Sequence, residues 1–159
     1  LNCNLNNIVE TDRIRMKNIE TEILIDAPIE VVWRTLMNFE NYRHWNPFLT
    51  IEGEAILGNK LDVIISMEGK RNFFKPKVVA FEEGRRFEWT GKLILKGLFA
   101  GNHYFKLEPV TEFQTKFIHG ENFTGLLKGA IMKKIQDKTI KGFESMNEAM
   151  KKYAEEQVI

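Results

Sequence analysis

From Ile19 the chain alternates strictly, with Ile19, Thr21, Ile23 and Ile25 on one side and Glu20, Glu22 and Leu24 on the other. A period of two over seven residues predicts a strand with one buried face. The pattern then changes in "DAPIEVVWRTLMNF", where Asp26 is the expected N-cap, Pro28 sits in the first turn, and Val32, Leu36 and Phe39 fall near helical spacing. A short helix is expected there. The aromatic stretch "ENYRHWNPF", closed by Pro47, predicts one more helical turn before the chain extends again. From 48 to 123 the pattern is mostly strand, broken at Gly58-Asn59, Glu68-Gly69, Glu83-Gly84, 97–101 and 109–112. Six antiparallel strands are expected in that span. Beyond Gly125 the spacing is helical, with Leu127, Ile131, Ile135, Phe143, Met146, Met150 and Tyr153 near one stripe. A long amphipathic helix needs an apolar partner, and a lone antiparallel sheet would leave one face bare. The expected fold class is α+β, a curved antiparallel sheet gripping the carboxy-terminal helix.

Strand parity also assigns the ionisable residues to faces, because successive side chains point to opposite sides. Over 99–107 the odd positions are Phe99, Gly101, His103, Phe105 and Leu107, and over 113–123 they are Phe113, Thr115, Phe117, His119, Glu121 and Phe123. Odd positions therefore face the helix. A hairpin turning at 109–112 with Phe105 opposite Phe117 would set His103 opposite His119 and Gly101 opposite Glu121, with β-carbons of opposed residues roughly 5 Å apart. The preceding strand contributes Phe87, Trp89, Gly91 and Leu93 by the same alternation. Three ionisable groups are thus expected on an aromatic wall.

Composition narrows the classes of function. A chain of 159 residues is the size of one compact domain. Its single cysteine, Cys3, rules out a disulfide framework and a paired-thiol metal site and suits a reducing cytoplasm. The formal net charge of +1, with both signs interspersed, offers no field for nucleic acid or an anionic membrane. No apolar run approaches the ~20 residues of a membrane span. Residues 1–15 are Asn-rich and show no clear period, so they read as a leader or extension, the alternative being an edge strand over 5–9. The domain is expected over 16–159. The lysines at 70–77 and 128–141 read as solvated faces.

Two histidines and a glutamate suggest a metal, yet no helical His pair reinforces them, and no metal or other cofactor is expected. The remaining readings of the cluster are a satisfied polar group at the end of a core, an acid or base, or the polar spots of a ligand pocket. No nucleophile elbow or Gly-rich phosphate loop is present.

The stretch "IDAPIEVVWRTLMNFENYRHWNPF" at 25–48 resembles the opening of the SRPBCC (START-like) superfamily, in its polyketide cyclase/dehydrase-like bacterial branch. The resemblance continues through "KPKVVAFEEGRRFEWTGKL" at 75–93, "GLFAGNHYFKLEPVTEFQTKFIHGENFTGLL" at 97–127 and "GFESMNEAMKKYAE" at 142–155. It implies a helix-grip fold: a seven-stranded antiparallel sheet, two small helices after the first strand, and a long final helix over a hydrophobic cavity. It further implies a small hydrophobic molecule as partner, lined by Trp45, Trp89, Phe105, Phe117 and Met146 with His103, His119 and Glu121 as polar spots. The leading expectation is a binding or carrier protein, cytoplasmic, without membrane insertion, and monomeric or homodimeric. The alternatives are a cyclase or dehydratase using His103, His119 or Glu121 as acid or base, and a protein-interaction module docking through the basic helix. No motif specific to one cyclase is present, and fold alone does not confer chemistry.

Overall fold

The computed structural model describes residues 17–92 and 99–158, so the expectation of an edge strand over 5–9 lies outside the described residues. Among the described residues there are eight strands: β1 (Lys17–Ile25), β2 (Leu49–Glu52), β3 (Asp62–Met67), β4 (Lys70–Phe74), β5 (Lys77–Glu82), β6 (Arg86–Lys92), β7 (Ala100–Thr111) and β8 (Gln114–Thr124). The helices are α1 (Ile29–Met37), a 3-10 turn at Phe39–Asn41 running into α2 (Tyr42–Trp45), and the 29-residue α3 (Lys128–Glu156). Every strand pairing is antiparallel, and α3 lies against the sheet, as the α+β expectation requires.

The strands divide into two sheets, β1-β8-β7-β6-β5 and β2-β3-β4, which corrects the single seven-stranded sheet. The division falls between β4 and β5, at Lys75-Pro76. Proline has no N–H to give a ladder. Instead the segment before β3 bridges the gap, with Leu61 N–H donating to the Pro76 carbonyl and Val78 N–H to the Asn59 carbonyl, both at 2.9 Å. The sheets thus bend toward each other without sharing a full ladder.

The helical entry also differs in detail. Pro28, not Asp26, is the N-cap of α1, and its carbonyl accepts from Val31 and Val32 N–H. Asp26 serves the opposite end of the chain: its N–H donates to Glu155 of α3 at 2.8 Å, and Lys151 donates to the Leu24 carbonyl at 2.7 Å. Tyr42 is fully buried and donates to the Leu36 carbonyl at 2.6 Å, fixing α2 on α1. Burial pushes its phenol far above the usual range, so it stays a donor.

The large apolar cluster lies between α1, the carboxy-terminal half of α3 and the strands, around Leu36, Phe87, Phe105, Phe117 and Met150. A smaller one, with Ile19, Phe99, Phe123, Met132 and Phe143, lies toward the start of α3. The helical stripe is displaced from the expected one at its beginning. Leu127 precedes the helix and is exposed, while Met132 takes the buried position.

On the convex face of the sheet, Tyr104 lies across Gly120 and donates to Glu20 at 2.6 Å. A β-carbon at 120 would overlap the phenol ring. Gly120→Ala is therefore expected to lower stability by about 1–3 kcal/mol through overpacking, seen as a reduced midpoint in urea unfolding with unchanged slope.

Candidate functional site: an imidazole line beneath an apolar cavity

The sheet and α3 do not pack flush. Between them is a cavity of about 310 Å³. One side is formed by Leu49, Val63, Ile65 and Met67 of the small sheet, the floor by Trp89, His103, His119, Glu121 and Phe123, and the roof by Ile135, Thr139, Gly142, Phe143 and Met146 of α3. Parity put the floor residues on this face, and the pairing decides how they meet.

The β7–β8 register differs by two residues from the expected one. His103 lies opposite Glu121, Phe105 opposite His119, Leu107 opposite Phe117, and Gly101 opposite Phe123. The cause is the turn. β7 continues to Thr111 with an irregularity after Pro109, and the chain reverses at Glu112-Phe113, leaving Phe113 exposed instead of inward. A shift of two preserves parity, so all the groups remain on the inner face.

His103 is held flat against Trp89, its neighbour on β6, with ring centroids 4.7 Å apart and planes 5° from parallel. Its Nε2 lies 2.9 Å from Nε2 of the fully buried His119, and its Nδ1 lies 3.5 Å from the Glu121 carboxylate. His119 in turn stacks on Phe143, 3.8 Å between centroids, and its Nδ1 is 3.1 Å from Oδ1 of Asn147. Asn147 Nδ2 donates to Thr21 Oγ1 at 2.9 Å, and that hydroxyl donates to the His119 carbonyl at 3.3 Å. Glu121, His103, His119, Asn147 and Thr21 form one line across β8, β7, α3 and β1.

The direction of this line fixes the protons. Asn147 presents its amide oxygen to His119, and an amide oxygen only accepts, so His119 Nδ1 carries the hydrogen. Burial first, and the adjacent His103 second, hold the His119 imidazole well below its usual range, so it stays neutral. Its Nε2 is then an acceptor, and His103 Nε2 must donate to it. The remaining nitrogen, His103 Nδ1, faces Glu121 at the cavity surface. His103 Nδ1 and the Glu121 carboxylate are thus the groups placed to hydrogen-bond a molecule above them.

Glu121 fits because residue 101 is glycine. A β-carbon there would overlap the carboxylate, which folds across Gly101. Of the expected lining residues, Trp89, His103, His119, Glu121 and Met146 border the cavity. Trp45, Phe105 and Phe117 do not; they are buried in the main core, Trp45 against Tyr42 and Tyr153 and Phe105 stacked on Phe117. Phe105 and Phe117 lie two and four pairs further along the ladder than His103, where the sheet closes on the core.

Sequence reasoning missed Asn147 and Lys138. Asn147 is the polar position of an otherwise apolar stripe, four residues after Phe143 and three before Met150, and that spacing was available as a signal. Lys138, grouped with the solvated lysines, borders the cavity and bonds Glu68 of the β3–β4 turn at 2.6 Å. Among the described residues, no three His, Cys, Asp or Glu side chains form a group able to hold a metal, and no helix is long and apolar enough to cross a membrane.

A neutral buried imidazole makes stability depend on pH. Unfolded, His119 would titrate near 6.5; folded, its value is depressed, so the unfolded chain binds more protons below that pH. Its contribution is intact above ~6.5 and is lost as pH falls below it. Thermal unfolding is expected to show a Tm that drops from pH 7.5 toward pH 5.5, and His119→Gln should flatten that slope.

A family model described as polyketide cyclase/dehydrase and lipid transport matches residues 16–155. Among curated proteins, none matches the chain in sequence. Among solved structures, the Zhui aromatase/cyclase from a Streptomyces species superposes with a TM-score of 0.74 at 14% identity, covering 91% of this chain and 96% of that one. A START superfamily protein from Mycobacterium smegmatis gives 0.69 at 18% identity, covering 89% and 99%. Norcoclaurine synthase from Thalictrum flavum, solved with dopamine and hydroxybenzaldehyde, gives 0.68 at 16% identity, covering 89% and 87%. At such identities the structural likenesses establish the shared fold, while the family match covers nearly the whole described chain: this chain belongs to the polyketide cyclase/dehydrase and lipid-transport family.

Proposed function

We propose that residues 16–159 bind and carry a small, largely apolar molecule in the cavity, with a polar end resting on His103 and Glu121. The observation that carries this reading is a mainly apolar space of about 310 Å³ whose floor holds the His103–Glu121 pair, Nδ1 to carboxylate at 3.5 Å. Such a combination is the usual form of a small-molecule site, and its volume lies at the small end of the roughly 300–1,000 Å³ range. Trp89 and Met146 supply apolar contact. Phe105 and Phe117 support the floor from below, and Trp45 stiffens the core under α3. The mixed surface charge and lone cysteine fit a cytoplasmic carrier, monomeric or homodimeric, acting without nucleic acid or membrane insertion.

A second reading, an acid–base enzyme of the cyclase or dehydratase kind, is favoured by one specific feature: the Glu121–His103–His119 line. It fixes the tautomer of His103 from behind and leaves its Nδ1 3.5 Å from the Glu121 carboxylate at the cavity surface. If turnover of a polyketide-like substrate is found, Glu121→Gln and His103→Ala should each lower it by roughly 10²–10⁴.

The binding reading is tested with 2-naphthol and naphthalene, followed by fluorescence. Both should bind, and His103→Ala should weaken 2-naphthol by about tenfold, the scale of one hydrogen bond to an ionisable group, while leaving naphthalene affinity alone. Gly142→Leu offers a second check. Gly142 faces Met67 and Phe48 at ordinary contact distance, so a leucine there fills the cavity while improving local helix propensity. Both probes should be lost with Tm held or raised; undiminished binding by Gly142→Leu would refute the cavity as the site.

A further inference from the structure

Outside the cavity, between the β3–β4 hairpin and α3, runs a second groove of about 580 Å³. The two spaces share Phe48, Met67, Lys138 and Gly142, so they adjoin at these residues. The inner space is apolar with a polar floor. The outer groove has an apolar base and a wall of Lys134, Lys138 and Lys141, one turn apart on α3.

Two acidic residues also border the groove, Glu68 and Asp137. Glu68 bonds Lys138 at 2.6 Å, and its side chain is 73% exposed. Among the described residues, Lys134 and Lys141 have no carboxylate within ion-pair distance. Glu68 therefore reaches across from the hairpin, from a backbone with φ 51°, and supplies an anion to the lysine nearest the cavity. An exposed pair of this kind is weak and salt-screened, so a better-placed anion can replace it.

We infer that the groove receives the anionic group, a carboxylate or phosphate, of a ligand whose apolar part occupies the cavity, with the ligand's anion taking the place of Glu68 at Lys138. The inference rests on the cavity being a ligand site, and it adds a second anchor at the opposite end from His103 and Glu121. Spacing limits the ligand. Taking the roughly 30 Å³ that one water occupies in the liquid as the size of a small group, the cavity of about 310 Å³ holds about ten such groups before the chain emerges beside Lys138. The class is a short amphipathic anion, with a hydrogen-bonding group at its inner end.

The test compares ω-hydroxydecanoate with α,ω-decanediol by isothermal titration calorimetry at pH 7.5 and low salt. The two share chain and inner hydroxyl and differ in the outer group. The acid should bind roughly tenfold more tightly, the scale of one charge-assisted contact near a protein surface, and salt should erode that preference. The triple variant Lys134→Gln/Lys138→Gln/Lys141→Gln should bring the ratio toward one, and Glu68→Gln in the otherwise unchanged protein should raise the affinity of the acid by removing its competitor. Equal affinity for acid and diol overturns the anionic anchor while leaving cavity binding intact. A preference that persists in the triple variant overturns the groove as its source. Binding of neither molecule overturns the inference together with the binding reading beneath it.

Discussion

His119 is an imidazole with no solvent contact, and a buried ring with two nitrogens is tolerated only when both are matched. The partners come from different elements: Asn147 from α3, His103 from β7, and Thr21 of β1 behind Asn147. Each of these contacts sets a position of the fold as well as a proton. Without Asn147 the helix would lose its polar attachment to the centre of the sheet. Without the depressed basicity that burial imposes, the same ring would bring an unpaired charge into an apolar seam.

That constraint explains why the site is divided into two kinds of histidine. His119 is locked and neutral, so its chemistry is used up in holding a tautomer. His103 is turned by it, lies flat on Trp89, and keeps one nitrogen at the cavity surface beside Glu121. The arrangement resembles the way an orienting group behind a reactive imidazole fixes its tautomer in many enzymes, and it would equally orient a hydrogen-bonding ligand. Geometry alone supports a site that can give or take one proton in an apolar space.

The cavity itself follows from packing. α3 is pinned at its carboxy-terminal half, where Met146, Met150 and Ala154 join the main core and Lys151 and Glu155 bond the end of β1. Toward its start it meets the smaller cluster of Phe99, Phe123 and Met132. Between these contacts the small sheet stands away from the helix, and Gly142, which adds no side chain to fill the gap, leaves the space open.

Much of this was legible in the residues. The alternation of β1, β7 and β8 assigned His103, His119, Glu121 and Thr21 to the inner face, and the apolar stripe of α3 required a sheet to cover. Both are local periodicities, fixed by backbone geometry whatever the remainder of the chain does. The register was not legible. Pairing Phe105 with Phe117 or with His119 keeps the same parity, and the tight turn at Glu112-Phe113 together with the irregularity after Pro109 chooses between them. Nor could periodicity separate Trp89, which faces a void, from Phe105, which faces packed core, because both are simply inward. The break at Pro76 into two sheets, and the meeting of Glu68 with Lys138, depend on how separate elements tilt and approach. The sequence by itself determined which faces are buried and which chemical groups they carry; the tertiary structure decided which of those groups touch, and where space remains between them, because distances across elements are set by turns, bulges and packing that no single strand or helix encodes.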